Sequence, residues 1–318
     1  MRIVVALGGN ALIRRGETGS IGVQRANVRR SAAALADLVE HGHELVVTHG
    51  NGPQVGFLAI EAEAARAIVP PPPLDVLVAE TQGGIGYLIV QALRGELARR
   101  RLDRPVACVL TETVVDSADP AFAVPTKPIG PVYDEPTARA LAREHGWTIA
   151  RDGSGWRRVV ASPRPSAIVE ASTIRALADA GTIVVASGGG GIPVCLGDGA
   201  LVGVEAVVDK DLEAVLLATA VVADALLLLT DVPAALLGWG SPDPIAIRRM
   251  TATAAAAGVA NGTFAVGSMG PKVQAAAEFA TQTGHIAAIG ALEDPVGVLA
   301  GRSGTLVVAD PVGLVAAA

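Results

Sequence analysis

Lysine is nearly missing from this chain. Of its 25 Lys and Arg residues, only Lys127, Lys210 and Lys272 are lysine. Aromatic residues make up 3% of the sequence, too few for the stacking platforms on which single-stranded nucleic acids lie. One short basic run occurs, Arg99-Arg100-Arg101, within a chain of net charge −6. That leaves no positive field to hold a phosphate backbone, and nucleic acid is excluded as a partner. The two cysteines, Cys108 and Cys195, are too far apart for metal-ligand spacing and too few for a disulfide scaffold. They are expected to be buried, reduced thiols in a cytoplasmic protein. Long apolar runs are scarce as well. The N-terminal run breaks at Gly8-Gly9-Asn10, too early for a secretory signal. The most membrane-like stretch, residues 214–229, is interrupted by Asp224 and falls short of a span. It reads as a buried helix followed by a buried strand, and no membrane partner is expected.

Apolar residues are abundant, at 51%. With so few aromatics, Ala, Val and Leu must build the core, which suits helices packed closely on a sheet. Residues 2–7 read as a buried strand, 24–40 as a helix and 44–48 as a second strand. Pro70 to Pro73 form a stiff connector. A long helix follows over 76–101, with Gly83, Gly84 and Gly86 inside it. Glycines in a helix cost stability, so these serve either packing on the sheet or a helix–helix dimer contact. Strands are predicted at 105–110, 182–186, 224–229, 285–289 and 305–308, and helices at 172–180, 210–220, after Ser241-Pro242-Asp243, and up to 283. This alternation predicts an α/β fold with a mainly parallel sheet covered on both faces. Residues 113–165 break the rhythm. They are rich in Pro, Asp, Gly and Arg and hold Trp147 and Trp156. A structureless loop of that length is improbable, so they form an inserted, lid-like subdomain, with a helix over 135–145 and a turn at Asp152-Gly153-Ser154-Gly155.

The three lysines sit in Pro-Thr-Lys-Pro, Asp-Lys-Asp and Gly-Pro-Lys turns, where sites are usually built. Arginine-rich codon usage with chance survivors is the other explanation. Lys is a compact point charge and Arg a planar fork, so a site that sets one ammonium beside a phosphoryl oxygen retains Lys. Glycine turns follow the strands at Gly8-Gly9-Asn10, at His49-Gly50-Asn51-Gly52-Pro53 and at Ser187-Gly188-Gly189-Gly190-Gly191. Such turns let backbone amides approach an anion, and a helix start adds its dipole. Asp209 is placed to cap the helix that begins at Lys210 and Asp211. His49 is either a base or a structural turn residue. No dinucleotide or Walker A loop is present, no Ser-His-Asp set stands out, and His/Cys spacing offers no zinc site. Glycine loops, lysines at helix starts and an Asp beside one lysine suggest phosphoryl transfer, which needs positioning and cations more than covalent chemistry.

Six stretches, in order along almost the whole chain, carry a resemblance: Ala6-Leu-Gly-Gly-Asn-Ala-Leu12, Thr48-His-Gly-Asn-Gly-Pro-Gln54, Pro125-Thr-Lys-Pro-Ile-Gly-Pro131, Gly188-Gly-Gly-Gly-Ile-Pro193, Val208-Asp-Lys-Asp-Leu212 and Gly267-Ser-Met-Gly-Pro-Lys272. Together they resemble the carbamate kinases of the amino acid kinase superfamily. The resemblance implies one domain over residues 1–318, an open three-layer α/β/α sandwich with a small inserted protruding subdomain and a nucleotide side from about residue 205. It implies a homodimer and the reaction ATP + carbamate ⇌ ADP + carbamoyl phosphate with Mg²⁺, commonly run toward ATP. It also assigns roles. Gly8, Gly9, Asn10, Gly50, Asn51 and Gly52 hold the carbamate or carbamoyl end, and Lys127 closes over it. Lys210 and Lys272 neutralise the moving phosphoryl group, and Asp211 orients them. Thr230, Asp231, Val232, Trp239, Ser268, Met269 and Gly270 lie on the nucleotide side, as does the 241–249 region.

Two positions depart from the pattern the resemblance carries. The wider superfamily usually has a Lys two residues before the first Gly-Gly, where this chain has Ala6; the resemblance gives that duty to Lys210. Val124 stands where a polar Asn is expected before the lid lysine. Another acylphosphate-forming kinase of the superfamily and a nucleotide-binding sensor without turnover are the competing readings. Intact lysines and Asp211 speak against the sensor, and Lys127 with its insert against the other kinase.

Overall fold

The computed structural model describes residues 1–14, 16–264 and 269–310, and Asn10 by its backbone alone. In chain order the strands are β1 (Arg2–Leu7), β2 (Glu44–His49), β3 (Val106–Cys108), β4 (Glu112–Val115), β5 (Lys127–Tyr133), β6 (Thr148–Asp152), β7 (Gly155–Val160), β8 (Pro165–Ile168), β9 (Ile183–Val185), β10 (Ile192–Gly197), β11 (Ala200–Gly203), β12 (Ala225–Thr230), β13 (Leu236–Leu237), β14 (Ile245–Ala246), β15 (Arg249–Thr251), β16 (Ile286–Ala291) and β17 (Thr305–Val308). The helices are α1 (Ile21–Glu40), α2 (Gly52–Ala65), α3 (Leu74–Arg100), α4 (Glu135–His145), α5 (Ala171–Asp179), α6 (Lys210–Ala220), α7 (Ala252–Ala260), α8 (Met269–Thr283) and α9 (Pro295–Leu299).

β1 is the centre of an eight-stranded sheet of order β15-β17-β16-β12-β1-β2-β9-β3. It is parallel to β12 on one side and to β2 on the other. β16, β9 and β3 continue the parallel run, and the direction changes only where β17 pairs antiparallel with β16. Ile3, Val5 and Leu7 enter one apolar cluster with α1, α3 and α9; Val4 and Ala6 enter another with α5, α6, α7 and α8. Successive strand side chains point to opposite faces. A strand covered on both faces therefore reads as an unbroken apolar run. Each fully buried Val, Leu or Ile contributes ~1.5–3 kcal/mol. The α8 side is built from small residues, Ala275, Ala276, Ala277 and Ala280, around the buried ring of Phe279. The α/β sandwich with a mainly parallel sheet is as the sequence predicts.

Local signals account for most element ends. α1 begins at residue 21, where Ser20 Oγ accepts the Val23 amide at 3.4 Å. Pro73 has polyproline-like angles and leads into α3. α3 is long and apolar enough to cross a bilayer by length and composition; here Leu77, Ile85, Ile89 and Leu93 are buried in the fold. Within α3, Gly86 gives way to Cys108 Sγ of the sheet, whereas Gly83 and Gly84 face open space.

Three expectations change. Cys108 is exposed and Cys195 half-buried, not core thiols. The strand expected over 105–110 stops at Cys108 on the sheet's edge, because the backbone leaves there, with Thr111 N donating to Gln82 Oε1 at 2.9 Å. Cys195 lies on β10 of a second sheet, β11-β10-β4-β8. After Ser241-Pro242-Asp243 the chain first makes β14 and β15, and α7 starts only at residue 252. The residues from 127 to 160 form a separate antiparallel sheet, β5-β7-β6, with α4 against it.

Candidate active site

Four parallel neighbours, β12, β1, β2 and β9, end on one edge of the sheet. Chain order reverses at β1, which is where an open α/β sheet leaves a ligand crevice. The turns that follow are laced to one another. Gly8 N donates to Leu229 O at 2.9 Å, Gly50 N to Leu7 O at 3.0 Å, and Ala186 N to Val47 O at 2.9 Å. Glycine at residue 50 lets the turns pack closely: a Cβ there would sit 3.3 Å from Gly9 Cα and 3.4 Å from Lys210 Cδ. The Lys210 stem thus lies against the turn that follows β2.

The four-glycine turn closes the edge from the β9 side. Gly188 leaves room for the His49 ring and Gly189 for the Asn51 amide, while Gly190 packs on Val208. Asn51 is buried and donates to Thr81 Oγ1 at 2.8 Å. His49 is buried; its Nδ1 lies 3.1 Å from Gly50 O. Burial lowers its pKa to about 4, against a small opposing effect of the Gly50 carbonyl. The ring packs under Gly188, which favours the structural of the two readings at residue 49.

The cations gather at the start of α6. Asp209 caps the helix, its Oδ1 accepting from the amides of Asp211 at 3.0 Å and Leu212 at 3.4 Å. Asp211 is buried, and its two oxygens divide between two ammonium groups: Lys210 Nζ at 2.5 Å from Oδ1 and Lys272 Nζ at 3.1 Å from Oδ2. Lys272 comes from the first turn of α8. Burial alone would raise the Asp211 pKa, but the two ammonium charges overcome it and hold the carboxyl at about 2. Burial also opposes charge on Lys210, yet the adjacent Asp211 raises its pKa overall. Lys272 goes the other way, to about 8, because burial and the charge of Lys210 outweigh its longer contact with Asp211. The opposite directions follow the geometry, since the nearer lysine takes the larger share of one carboxylate.

Lys127 opens β5 of the inserted sheet, paired with Val160, and its Nζ reaches Asp209 Oδ2 at 3.1 Å. One carboxylate therefore caps the lysine-bearing helix and holds the inserted lysine. Sequence reasoning assigned Asp209 only the cap. The nearby Val124 is 66% exposed, so nothing in the fold depends on a polar group there. Asp119 holds that turn instead, accepting from the amides of Ala121 at 2.8 Å and Arg164 at 2.9 Å.

The predicted nucleotide-side residues are more dispersed. Thr230 ends β12 and donates to Asp231 Oδ1 at 3.1 Å. A cavity of about 300 Å³ opens there between Ala11, Arg14, Thr230, Asp231 and Glu293. Val232 is half-buried, Trp239 is 60% exposed, and Met269 and Gly270 begin α8. Ser268 lies outside the described residues. A larger cavity, about 610 Å³, lies behind the inserted sheet, lined by Glu63, Arg66, Tyr133, Trp147 and Arg158. It contains none of the lysines. The convergence of charge and glycine turns marks the site better than volume does.

The residue pattern of the Amino acid kinase family matches residues 1–290. The carbamate kinase of Thermococcus kodakarensis is 49% identical over 311 residues, 96% of this chain and 99% of that protein. Among solved structures, a carbamate kinase from Giardia lamblia bound to AMP-PNP superimposes with a TM-score of 0.91 at 40% identity, over 97% of this chain and 98% of that one. A protein from Aeropyrum pernix K1 superimposes at 0.93 with 44% identity, over 98% and 100%.

Proposed function

The chain belongs to the carbamate kinases of the amino acid kinase family, and from that premise we propose how its residues carry the transfer ATP + carbamate ⇌ ADP + carbamoyl phosphate. The observation that carries the reading is the pair of lysines sharing one buried carboxylate at the edge where the glycine turns meet. In the direction of synthesis, a carbamate oxygen attacks the γ-phosphorus in line and forms the new O–P bond. The bond to the ADP oxygen breaks, and the electron pair leaves with ADP. Charge spreads over the equatorial phosphoryl oxygens, and fixed ammonium groups in a dry site stabilise it. Lys210 and Lys272 are those groups. Asp211 keeps two like charges together that would otherwise repel or lose a proton. Carbamate is already an anion, so no general base is required; a buried neutral His49 fits that chemistry.

Gly8, Gly9, Asn10, Gly50, Asn51 and Gly52 serve the carbamoyl end through backbone amides, and Lys127 closes over it from the inserted sheet. Carbamoyl phosphate draws that lysine away from Asp209. The end of β12, Trp239 and the start of α8 serve the nucleotide. Mg²⁺ fits as a cation that arrives on the nucleotide: no cluster of three His, Cys, Asp or Glu donors exists among the described residues, and Asp209 and Asp211 already engage lysines. When bound, it would supply further neutralisation of phosphate charge.

The same reading includes a cytoplasmic homodimer. The homodimer is supported by an apolar face on α1, α2 and α3, where Ile21, Phe57, Ile60 and Tyr87 are exposed around the bare Gly84. Sedimentation at micromolar concentration tests the dimer. For the reaction, purified protein is mixed with ADP, Mg²⁺ and carbamoyl phosphate, and ATP is followed by luciferase, with acetyl phosphate as the parallel donor. Rapid ATP formation from carbamoyl phosphate alone is expected. No ATP from it would reject the reading, and ATP from acetyl phosphate instead would point to a different acylphosphate kinase.

A further inference from the structure

Glu213 sits one turn beyond Lys210 on α6 and has no exposed surface. No ordinary hydrogen-bond geometry serves either carboxyl oxygen or the buried Ser187 Oγ, although the Ser187 hydroxyl lies near enough to act on the carboxyl. Three unpartnered buried oxygens at one place demand an account, since such groups are normally satisfied. An ionised carboxylate supplies only acceptors and carries a charge that no nearby cation relieves. The Ser187 O–H can donate to either form, but only the neutral acid removes the buried charge and adds a donor of its own.

The position of Ser187 gives this pairing a consequence. It is a non-glycine residue held at φ 55°, ψ 30°, at the head of the four-glycine turn. Its amide donates to Thr111 Oγ1 at 3.0 Å and its carbonyl accepts from Thr48 Oγ1 at 2.8 Å. A left-handed serine persists only where its surroundings over-determine it. The turn it heads registers Gly188 and Gly189 against His49 and Asn51, and these residues flank the Gly50 turn on which the Lys210 stem lies.

We propose that Glu213 is a positioning residue for the phosphoryl-transfer site, a neutral acid whose O–H holds Ser187 and through it the glycine turn. The inference rests on the kinase reading and assigns Glu213 no contact with substrate. Burial raises its pKa to about 8, with Ser187 pulling the other way, in keeping with a proton retained at neutral pH. The same device ties the turn to the helix that carries Lys210 and Asp211, so loop and cations move as one body.

The test combines a spectroscopic and a kinetic arm. Infrared spectra at neutral pH are compared between wild type and Glu213→Gln. The wild type is expected to show the C=O stretch of a buried protonated carboxylic acid, and the variant to lack it. In steady-state assays with carbamoyl phosphate and ADP, Glu213→Leu and Ser187→Ala are expected to lower kcat/KM roughly 10²-fold, as displaced site geometry does. Glu213→Gln keeps both a donor and an acceptor and stays close to wild type. A wild type without the acid band, a Gln variant as poor as Leu, or a Leu variant as good as wild type each overturns the proposal. Should Glu213→Leu fail to fold, Ser187→Ala, which removes one hydroxyl, carries the kinetic arm. A wild type without turnover on carbamoyl phosphate would refute the parent reading and the positioning role with it, while the infrared band reports separately on the neutral acid.

Discussion

Asp211→Asn keeps the size of the side chain and removes the charge that two buried ammonium groups share. Lys210 Nζ and Lys272 Nζ lie 2.5 and 3.1 Å from the Asp211 oxygens. At a charge separation of ~4 Å and an effective dielectric of ~20, each pair gains roughly 4 kcal/mol. Each pKa step corresponds to ~1.4 kcal/mol, so losing that support carries Lys272, already at about 8, well below neutrality. It then stands unprotonated beside Lys210 at pH 7. A lost charge-stabilising donor typically costs 10²–10³-fold in rate, and disorder of the second lysine adds to it. We expect kcat for ATP formation to fall by roughly 10³-fold or more, with a cooperative thermal transition retained. The assay is luciferase-coupled ATP formation, read from pH 6 to 9 and checked by circular dichroism. A variant within tenfold of wild type at pH 7, with its pH profile unmoved, would show that Asp211 does not organise the two lysines.

Wild-type turnover should fall as pH rises through about 8, because Lys272 loses the charge it contributes; a flat profile to pH 9.5 would remove Lys272 from the chemistry. The stability effect has the opposite sign there. A lysine whose folded pKa lies below 10.5 penalises the fold while charged, and that penalty fades above pH 8. Asp211, held at about 2, contributes stability that is complete above pH 3.8 and lost as pH drops through 2, as acid titration of the unfolding transition can check. Asp209→Ala removes a helix cap worth ~1 kcal/mol and releases Lys127. It should lower the urea midpoint modestly and lower KM for carbamoyl phosphate, which no longer has to draw Lys127 from its carboxylate, and an unchanged KM would make the Lys127 contact incidental. Gly189→Ala forces a Cβ into the Asn51 amide at φ +73°. Left-handed strain and overpacking together should cost roughly 2–4 kcal/mol in denaturant unfolding, and a loss below 1 kcal/mol would mean that the turn repacks freely.

Much of this protein follows from local pattern. Short apolar runs, ended by glycine turns after β1 and β2 and by Thr230-Asp231-Val232-Pro233 after β12, mark these strands to within a residue, because strands buried on both faces are mostly apolar. The rarity of lysine drew notice to Lys127, Lys210 and Lys272, and a capping Asp before a helix start is a short-range signal that the Asp209 geometry repeats. The motifs spanning the chain carried the family and the reaction with them.

Other features depend on contacts that no window of sequence contains. Asp211 meets Lys272 from 61 positions away and Lys127 meets Asp209 from 82, and only packing of α8 and the inserted sheet against α6 decides which carboxylate takes which ammonium. Burial makes His49 neutral, and it also turns Glu213, an ordinary surface letter in Leu212-Glu213-Ala214, into a proton-holding group. Cys108 looked like a core residue because its apolar neighbours resemble a central strand, yet strand order puts it on the sheet's rim. Sequence determines which backbone segments become strands, helices and glycine turns, because those choices are settled over a few residues. Charge state, ion-pair partner and exposure belong to the tertiary structure, because each depends on desolvation and on distances between groups remote along the chain.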